Sequence, residues 1–139
     1  KKELKNKNLI LINCDLFFLF NFDHLLDFHL KSKNDLTIVV SKKKFDIPYG
    51  CINLDNKKNF LNMEEKPSSM KLVNTGLYIL NHKVSNLVPT NKNFDADDLI
   101  KKTKKKNFKI GIFKIRDNDW IDVGQWDELK NEFDKIQKS

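Results

Sequence analysis

The stretch "LILINCDLFF", residues 9–18, decides how the rest of the chain is read. Leu9 to Ile12 make a short apolar run closed by polar residues, the pattern of a buried strand. Asp15 follows at once, and the sequence then turns apolar again. An unpaired charge inside a core is costly, so Asp15 is either neutralised by a partner or held at the lip of a cleft. An open α/β sheet has a natural place for the second option, because ligands bind outside the carboxyl ends of its strands.

Working outward, "NFDHLLDFHLKSK" (21–33) reads as a helix. Asn21 can cap it, and Phe22, Leu25, Leu26, His29 and Leu30 share one helical face. His29 on that face reads as a structural histidine. "DLTIVVS" (35–41) is β-branched and reads as a second strand. "IPYGCINLD" and "NFLNMEEK", joined by "NKK", read as a hairpin or a pair of short strands. "KLVNTGLYIL" (71–80) is a further strand, and Gly76 inside it points to a close backbone approach or a bulge. A helix is expected from Asp95, with Asp98 in a capping position. "FKIGIFKI" (108–115) alternates as a strand should. Trp126, Leu129, Phe133 and Ile136 have the spacing of a last amphipathic helix after Gly124. Strands and helices alternate around one antiparallel insertion, which argues an α/β sheet with helices on its faces. Neither a repeat nor a domain-separating linker is visible.

The 139 residues suit one domain. Formal net charge is +7, which favours anionic partners such as phosphorylated metabolites or nucleic acid. Arg116 is the only arginine, however, and surfaces that read bases lean on the planar fork of Arg. The Lys101–Lys106 run suits the last turn of a helix better than a nucleic-acid patch. Cys14 and Cys51 form no C-x-x-C pair and, with three histidines, no zinc spacing, so reduced thiols in a cytoplasmic protein are expected. The opening lysines followed by "LILINC" mimic a leader, but the apolar run is short and Asn precedes the cysteine. Asn13, Asp15, Asn21 and Asp23 interrupt the best membrane-span candidate.

"DNDWIDVGQW" gives Asp122 the same setting as Asp15. Two carboxylates on neighbouring strand ends can hold a hard cation, and Mg²⁺ is typically bound by one or two carboxylates plus substrate phosphates. The alternative is that both are helix caps or turn formers. In "MEEKP" (63–67), Lys66 precedes a proline and is expected to leave its strand extended. Glu65 could accept hydrogen bonds from sugar hydroxyls and Lys66 could meet a phosphate; a solvated turn is the alternative. "PYG" (48–50) and "VNTG" (73–76) each supply a glycine where a backbone amide can approach a ligand.

Taken in order, "NCD", "FH", "PYG", "EKP", "VNTGLYIL" and "WIDVGQW" resemble the sugar-phosphate nucleotidyltransferase family, from about Leu9 to Phe133. The branch it resembles holds CBS-domain-associated proteins and guanylyltransferases for bacterial surface sugars. The resemblance implies a Rossmann-like three-layer α/β/α mixed sheet. It implies a Mg²⁺-dependent reaction in which NTP and a sugar 1-phosphate give an NDP-sugar and pyrophosphate. Asp15 and Asp122 would hold the metal, and Lys66 would contact the sugar phosphate. Tyr49, Gly50, Glu65, Asn74, Thr75 and Gly76 would line the substrate site. GTP with a hexose or heptose 1-phosphate is favoured, and a homo-oligomer is allowed.

One departure bears on activity. The family's Gly-rich, nucleotide-cradling loop has no counterpart among Gly50, Gly76, Gly111 and Gly124. Residues 1–139 are therefore expected to be a single partial domain, the C-terminal portion of a nucleotidyltransferase, without turnover alone. The rival reading is a non-catalytic sugar-phosphate-binding or subunit-contact domain; a basic nucleic-acid binder is less favoured.

Overall fold

The computed structural model describes residues 7–124. These run β1 (Leu9–Ile12), β2 (Leu16–Phe18), α1 (Phe22–Lys31), β3 (Leu36–Asp46), β4 (Cys51–Leu54), β5 (Phe60–Glu64), β6 (Ser68–Leu80), α2 (His82–Ser85), α3 (Ala96–Lys105), β7 (Ile110–Ile115) and β8 (Trp120–Asp122). The last expected helix lies outside the described residues.

Side-chain alternation along β3 and β6 sorts the core into two halves. Leu36, Ile38, Val40, Tyr78 and Leu80 pack with Val84 of α2 and Leu99 of α3. Val39, Leu77 and Ile79 pack on the other face with Leu25 of α1, Ile115 of β7 and Trp120 of β8. Covered on both sides, Leu36 to Ser41 are all buried, which is why this strand reads as continuously apolar and β-branched. The sheet runs β1-β6-β3-β7, antiparallel at the first two pairings and parallel between β3 and β7. The result is the three-layer mixed sheet expected from the sequence.

Both expected caps form. Asn21 accepts a hydrogen bond from the Asp23 N–H, and Asp95 from the Asp98 N–H. The expected face of α1 is narrower than its spacing suggested. Leu25 and His29 are buried, whereas Leu26 and Leu30 are 38% and 51% exposed. α1 touches one side of a sheet, so a stripe one residue wide suffices. The sequence reading assigned nothing to α2, a single turn too short for periodicity. Its only local mark is Asn81, which accepts from the N–H groups of Lys83 and Val84.

β1 corrects a second expectation. It is a strand, but an edge strand rather than a buried one: Ile10, Leu11 and Ile12 are 54%, 42% and 44% exposed. Among the described residues it pairs with β6 alone. The expected hairpin forms as a separate two-stranded sheet of β4 and β5. Its cross-strand partners Ile52 and Met63 remain more than half exposed.

Gly76 is both things the sequence suggested. The β3–β6 register jumps from Ile38 opposite Tyr78 to Val40 opposite Asn74. The bulge gives Gly76 a φ of +76°, a left-handed conformation that favours glycine. A Cβ there would lie 2.7 Å from Asn13 Nδ2 and 2.8 Å from Leu16 Cδ1.

His29 is the structural histidine expected. It is 2% exposed, and its Nδ1 is hydrogen-bonded to Thr37 Oγ1 at 2.8 Å, an oxygen that also accepts from Asn34 Nδ2. Burial pushes the imidazole below its ordinary value of 6.5, opposed only in part by Asp35. The unfolded chain therefore takes up this proton first. The stability His29 contributes is present above pH 6.5 and is lost as pH falls through the depressed folded value. Urea unfolding midpoints are expected to drop between about pH 7.5 and about pH 5.5, and His29→Gln should flatten that slope. An unchanged slope in the variant would assign the pH dependence to other groups.

Candidate active site

Asp15 ends the turn after β1 and leads directly into β2. β2 pairs antiparallel with β8, placing Leu16 opposite Asp122. The Val123 N–H donates to the Asp15 carbonyl at 2.9 Å and closes the corner. Two aspartates from opposite ends of the described chain thus meet at one strand pair. A Cβ on Gly124 would lie 3.1 Å from Asp15 Oδ2 and 3.4 Å from Asp122 Oδ1, so both carboxylates converge on that glycine. A Cβ at 124 would press on the Asp15 carboxylate, which would have to give by a few tenths of an ångström.

The turn-forming role is also real for Asp122. Its Oδ1 accepts from the Gly124 N–H at 3.1 Å. The Asp15 carboxylate takes no hydrogen bond among the described residues. It stands exposed at the lip of a cleft, which answers the question its sequence setting raised. Two facing carboxylates repel unless a cation lies between or beside them.

The cleft has a volume of about 530 Å³. Asn13, Asp15 and Asp122 line it together with Asn74, Thr75 and Gly76 of the β6 bulge. Lys43 and Phe45 of β3, Tyr78 of β6, Trp120 of β8 and, at the start of α3, the carboxylates of Asp95 and Asp97 supply the rest of its polar and aromatic lining. Asn74 is held by the bulge: its Oδ1 accepts from the Gly76 N–H at 3.2 Å and its Nδ2 donates to the Tyr78 hydroxyl. Thr75 Oγ1 donates to the Val39 carbonyl at 2.9 Å, so that hydroxyl ties β6 to β3.

The remaining candidates form a second group that does not line this cleft. Tyr49, Gly50, Glu65 and Lys66 are all exposed at the base of the hairpin. A Cβ on Gly50 would meet Glu65 Oε2 at 3.1 Å, which shows how closely "PYG" and "EKP" are brought together. Lys66 corrects the extended geometry expected before Pro67. Its φ is +46°, left-handed rather than extended, at the bend where the β3–β6 ladder passes into the β4–β5 hairpin. The bend is fastened where the Ile47 N–H donates to the Pro67 carbonyl at 3.0 Å.

The lone arginine pairs with Asp119 just ahead of β8. Arg116 Nη2 donates to Asp119 Oδ1 at 2.7 Å, and its backbone N–H donates to Asp119 Oδ2 at 3.0 Å. This closes a 3-10 turn, Asp117–Asp119, that launches the strand carrying Asp122. The Arg116 side chain holds the Asp119 carboxyl below the usual range, outweighing burial.

Sequence reasoning missed Asn13, Lys43 and Trp120 as lining residues. For Lys43 the signal was parity: it follows Val39 and Ser41 on the same face of β3. Both cysteines are free thiols, as expected.

The family model described as nucleotidyl transferase matches residues 1–139. The bifunctional protein GlmU of Methanocaldococcus jannaschii is 26% identical over 93% of this chain and 32% of its own length. A glucose-1-phosphate adenylyltransferase of Fusobacterium nucleatum is 31% identical over 60% of this chain and 23% of its own. The crystal structure of HddC from Yersinia pseudotuberculosis is similar at a TM-score of 0.54 and 26% identity, covering 84% of this chain and 50% of that one. A structure of HddC complexed with GMP-PN gives 0.55 at 24% identity, which speaks for the fold alone. The chain thus spans a third or less of these curated relatives and half of the solved one.

Proposed function

The chain belongs to the nucleotidyl transferase family, and from that membership we propose that it carries the metal and sugar-phosphate part of a sugar-1-phosphate nucleotidyltransferase. The observation that carries the reading is the convergence of Asp15 and Asp122 at Gly124. In the proposed reaction an oxygen of the sugar 1-phosphate attacks the α-phosphorus of an NTP in line. An NDP-sugar forms and pyrophosphate leaves. Such chemistry asks the protein mainly for positioning and charge neutralisation.

The residues present fit Mg²⁺. Asp15 and Asp122 offer hard oxygen donors, and Asp15 has no competing partner among the described residues. Those residues hold no cluster of three or more acidic, His or Cys side chains. Phosphate and water would complete the shell, the usual arrangement for this ion. When bound, Mg²⁺ would neutralise charge on the phosphates. Asn74 would offer its amide to substrate at the bulge. Glu65 and Lys66, with Tyr49 and Gly50, would contact the sugar hydroxyls and the sugar phosphate from the hairpin base. Guanine is the base that the family resemblance favours. Among the described residues no helix is long and apolar enough to cross a membrane.

We expect this chain alone to release no NDP-sugar, because none of its four glycines builds a phosphate-cradling loop. It should still bind glucose 1-phosphate in a Mg²⁺-dependent manner, measured by calorimetry. Product from any NTP and sugar 1-phosphate pair would overturn the first statement. Absence of Mg²⁺-dependent binding would overturn the second. The exposed hairpin face favours one further reading, a subunit-contact domain. That reading predicts self-association in sedimentation that survives loss of both aspartates.

A further inference from the structure

We infer that Lys43 is the cleft's own phosphate ligand, contacting the phosphate of a phosphomonoester substrate beside the two aspartates. The inference deepens the reading of this cleft as a sugar-phosphate site and rests on it. Lys43 lies on β3, on the same face as Val39 and Ser41, and lines the cleft with Asp15, Asp122 and Trp120. Its side chain is only 31% exposed, unusually covered for a lysine among so many solvated ones. The ammonium stands 4.7 Å from the centre of the Trp120 ring. Its nearest carboxylate oxygen, Asp117 Oδ1, is 3.8 Å away, beyond hydrogen-bond reach. None of its three N–H donors has a hydrogen-bond acceptor among the described residues. Trp120, 8% exposed, seals its indole N–H from solvent, and that group has no acceptor among the described residues.

A half-covered ammonium with no hydrogen-bond acceptor among the described residues, on a cleft that also carries Asp15 and Asp122, calls for an oxygen-rich ligand. Water could serve the ammonium alone. The ammonium's charge and the paired aspartates narrow the choice to an anion bound together with a cation. A phosphate monoester bound with a divalent ion meets the ammonium and the two carboxylates together. Lys42 and Lys44, its neighbours, have the opposite parity and are exposed. Lys66, the phosphate contact implied by family resemblance, is not a lining residue of this cleft. Lys43 supplies the positive charge within the cleft, beside whatever contact Lys66 makes from the hairpin base.

Trp120 lies beneath the ammonium and gives the test an optical signal. Trp120 and Trp126 are the only tryptophans, so Trp126→Phe in the full 139-residue chain isolates it. Inorganic phosphate, glucose 1-phosphate and glucose are titrated with and without Mg²⁺, following Trp120 emission and calorimetric heat. Both phosphates are expected to bind and change the emission, and glucose is not. Lys43→Met should weaken phosphate binding by about ten-fold or more, the scale of one charge-assisted contact, and Lys43→Arg should restore most of it. Circular dichroism checks that each variant is folded. Equal binding by Lys43→Met and the parent overturns the inference; if Asp15→Asn still abolishes Mg²⁺-dependent binding, the nucleotidyltransferase reading survives it. If instead Lys43→Met loses binding and Asp15→Asn does not, the phosphate site stands and that reading falls. No binding by the parent overturns both.

Discussion

Gly76→Ala is expected to lower the stability of the chain by roughly 2–4 kcal/mol, combining the cost of a left-handed non-glycine residue with that of overpacking. Domains of this size have only about 5–15 kcal/mol in total, so the melting midpoint should fall by several degrees or more. Two separate costs act at the site. The φ of +76° disfavours any Cβ. The Cβ would also press within 3 Å of Asn13 Nδ2 and Leu16 Cδ1. Gly76→Asn separates them, since asparagine tolerates the left-handed region better than alanine. Asn13 Nδ2 and Leu16 Cδ1 end flexible side chains that can shift aside, so backbone strain is expected to dominate and Asn to be better tolerated than Ala. An Asn no better than Ala would put the effect on close approach. Recovery with Asn would put the whole effect on backbone strain. The consequence reaches the cleft, because Asn13 and Leu16 flank Asp15. Whatever fraction of Gly76→Ala remains folded should bind Mg²⁺ with glucose 1-phosphate more weakly than the parent.

Asp15→Asn and Asp122→Asn are expected to separate binding from stability. Each should weaken Mg²⁺-dependent binding of glucose 1-phosphate by at least about 100-fold, the upper end of what even outer-shell losses cost at metal sites. Without Mg²⁺, Asp15→Asn should be neutral or mildly stabilising, because its carboxylate has no partner among the described residues and faces a like charge. Asp122→Asn retains an oxygen that can accept from the Gly124 N–H, so its local turn should persist. Thermal denaturation with and without Mg²⁺ reads both effects. The parent should gain stability with the ion by mass action, and the variants should not. An equal gain in parent and variants would remove the two aspartates from any metal site.

Much of the architecture was legible because its signals are local. The periodicity of Leu25 and His29 and the cap at Asn21 announce α1, and Asp95 announces α3. The β-branched run through Val39 and Val40 marks the doubly covered strand. α2 was missed because one turn has no period to detect. The burial of β1 was misread because an apolar run looks the same in an edge strand as in a central one; what differs is whether a neighbour covers it.

The site was legible in its chemistry and only partly in its membership. Asp15, Asp122, Asn74 and Gly76 do come to one cleft, whereas Glu65 and Lys66 sit at the hairpin base. Nothing short-range distinguishes Lys43 from Lys42 and Lys44 except its parity with Val39, and that parity has meaning only once Trp120 covers the face.

By itself, then, the amino-acid order determined which segments become strands and helices, where helices begin, and that two aspartates stand in settings suited to a cation. Those properties follow from side-chain periodicity and from backbone sterics acting over a few residues. The tertiary structure alone decided that β2 pairs with β8 so that the aspartates meet at Gly124, that β1 is left at an edge, and which lysine enters the cleft. Those outcomes depend on contacts between residues distant along the chain, whose register is set by how the two halves of the core pack against one sheet.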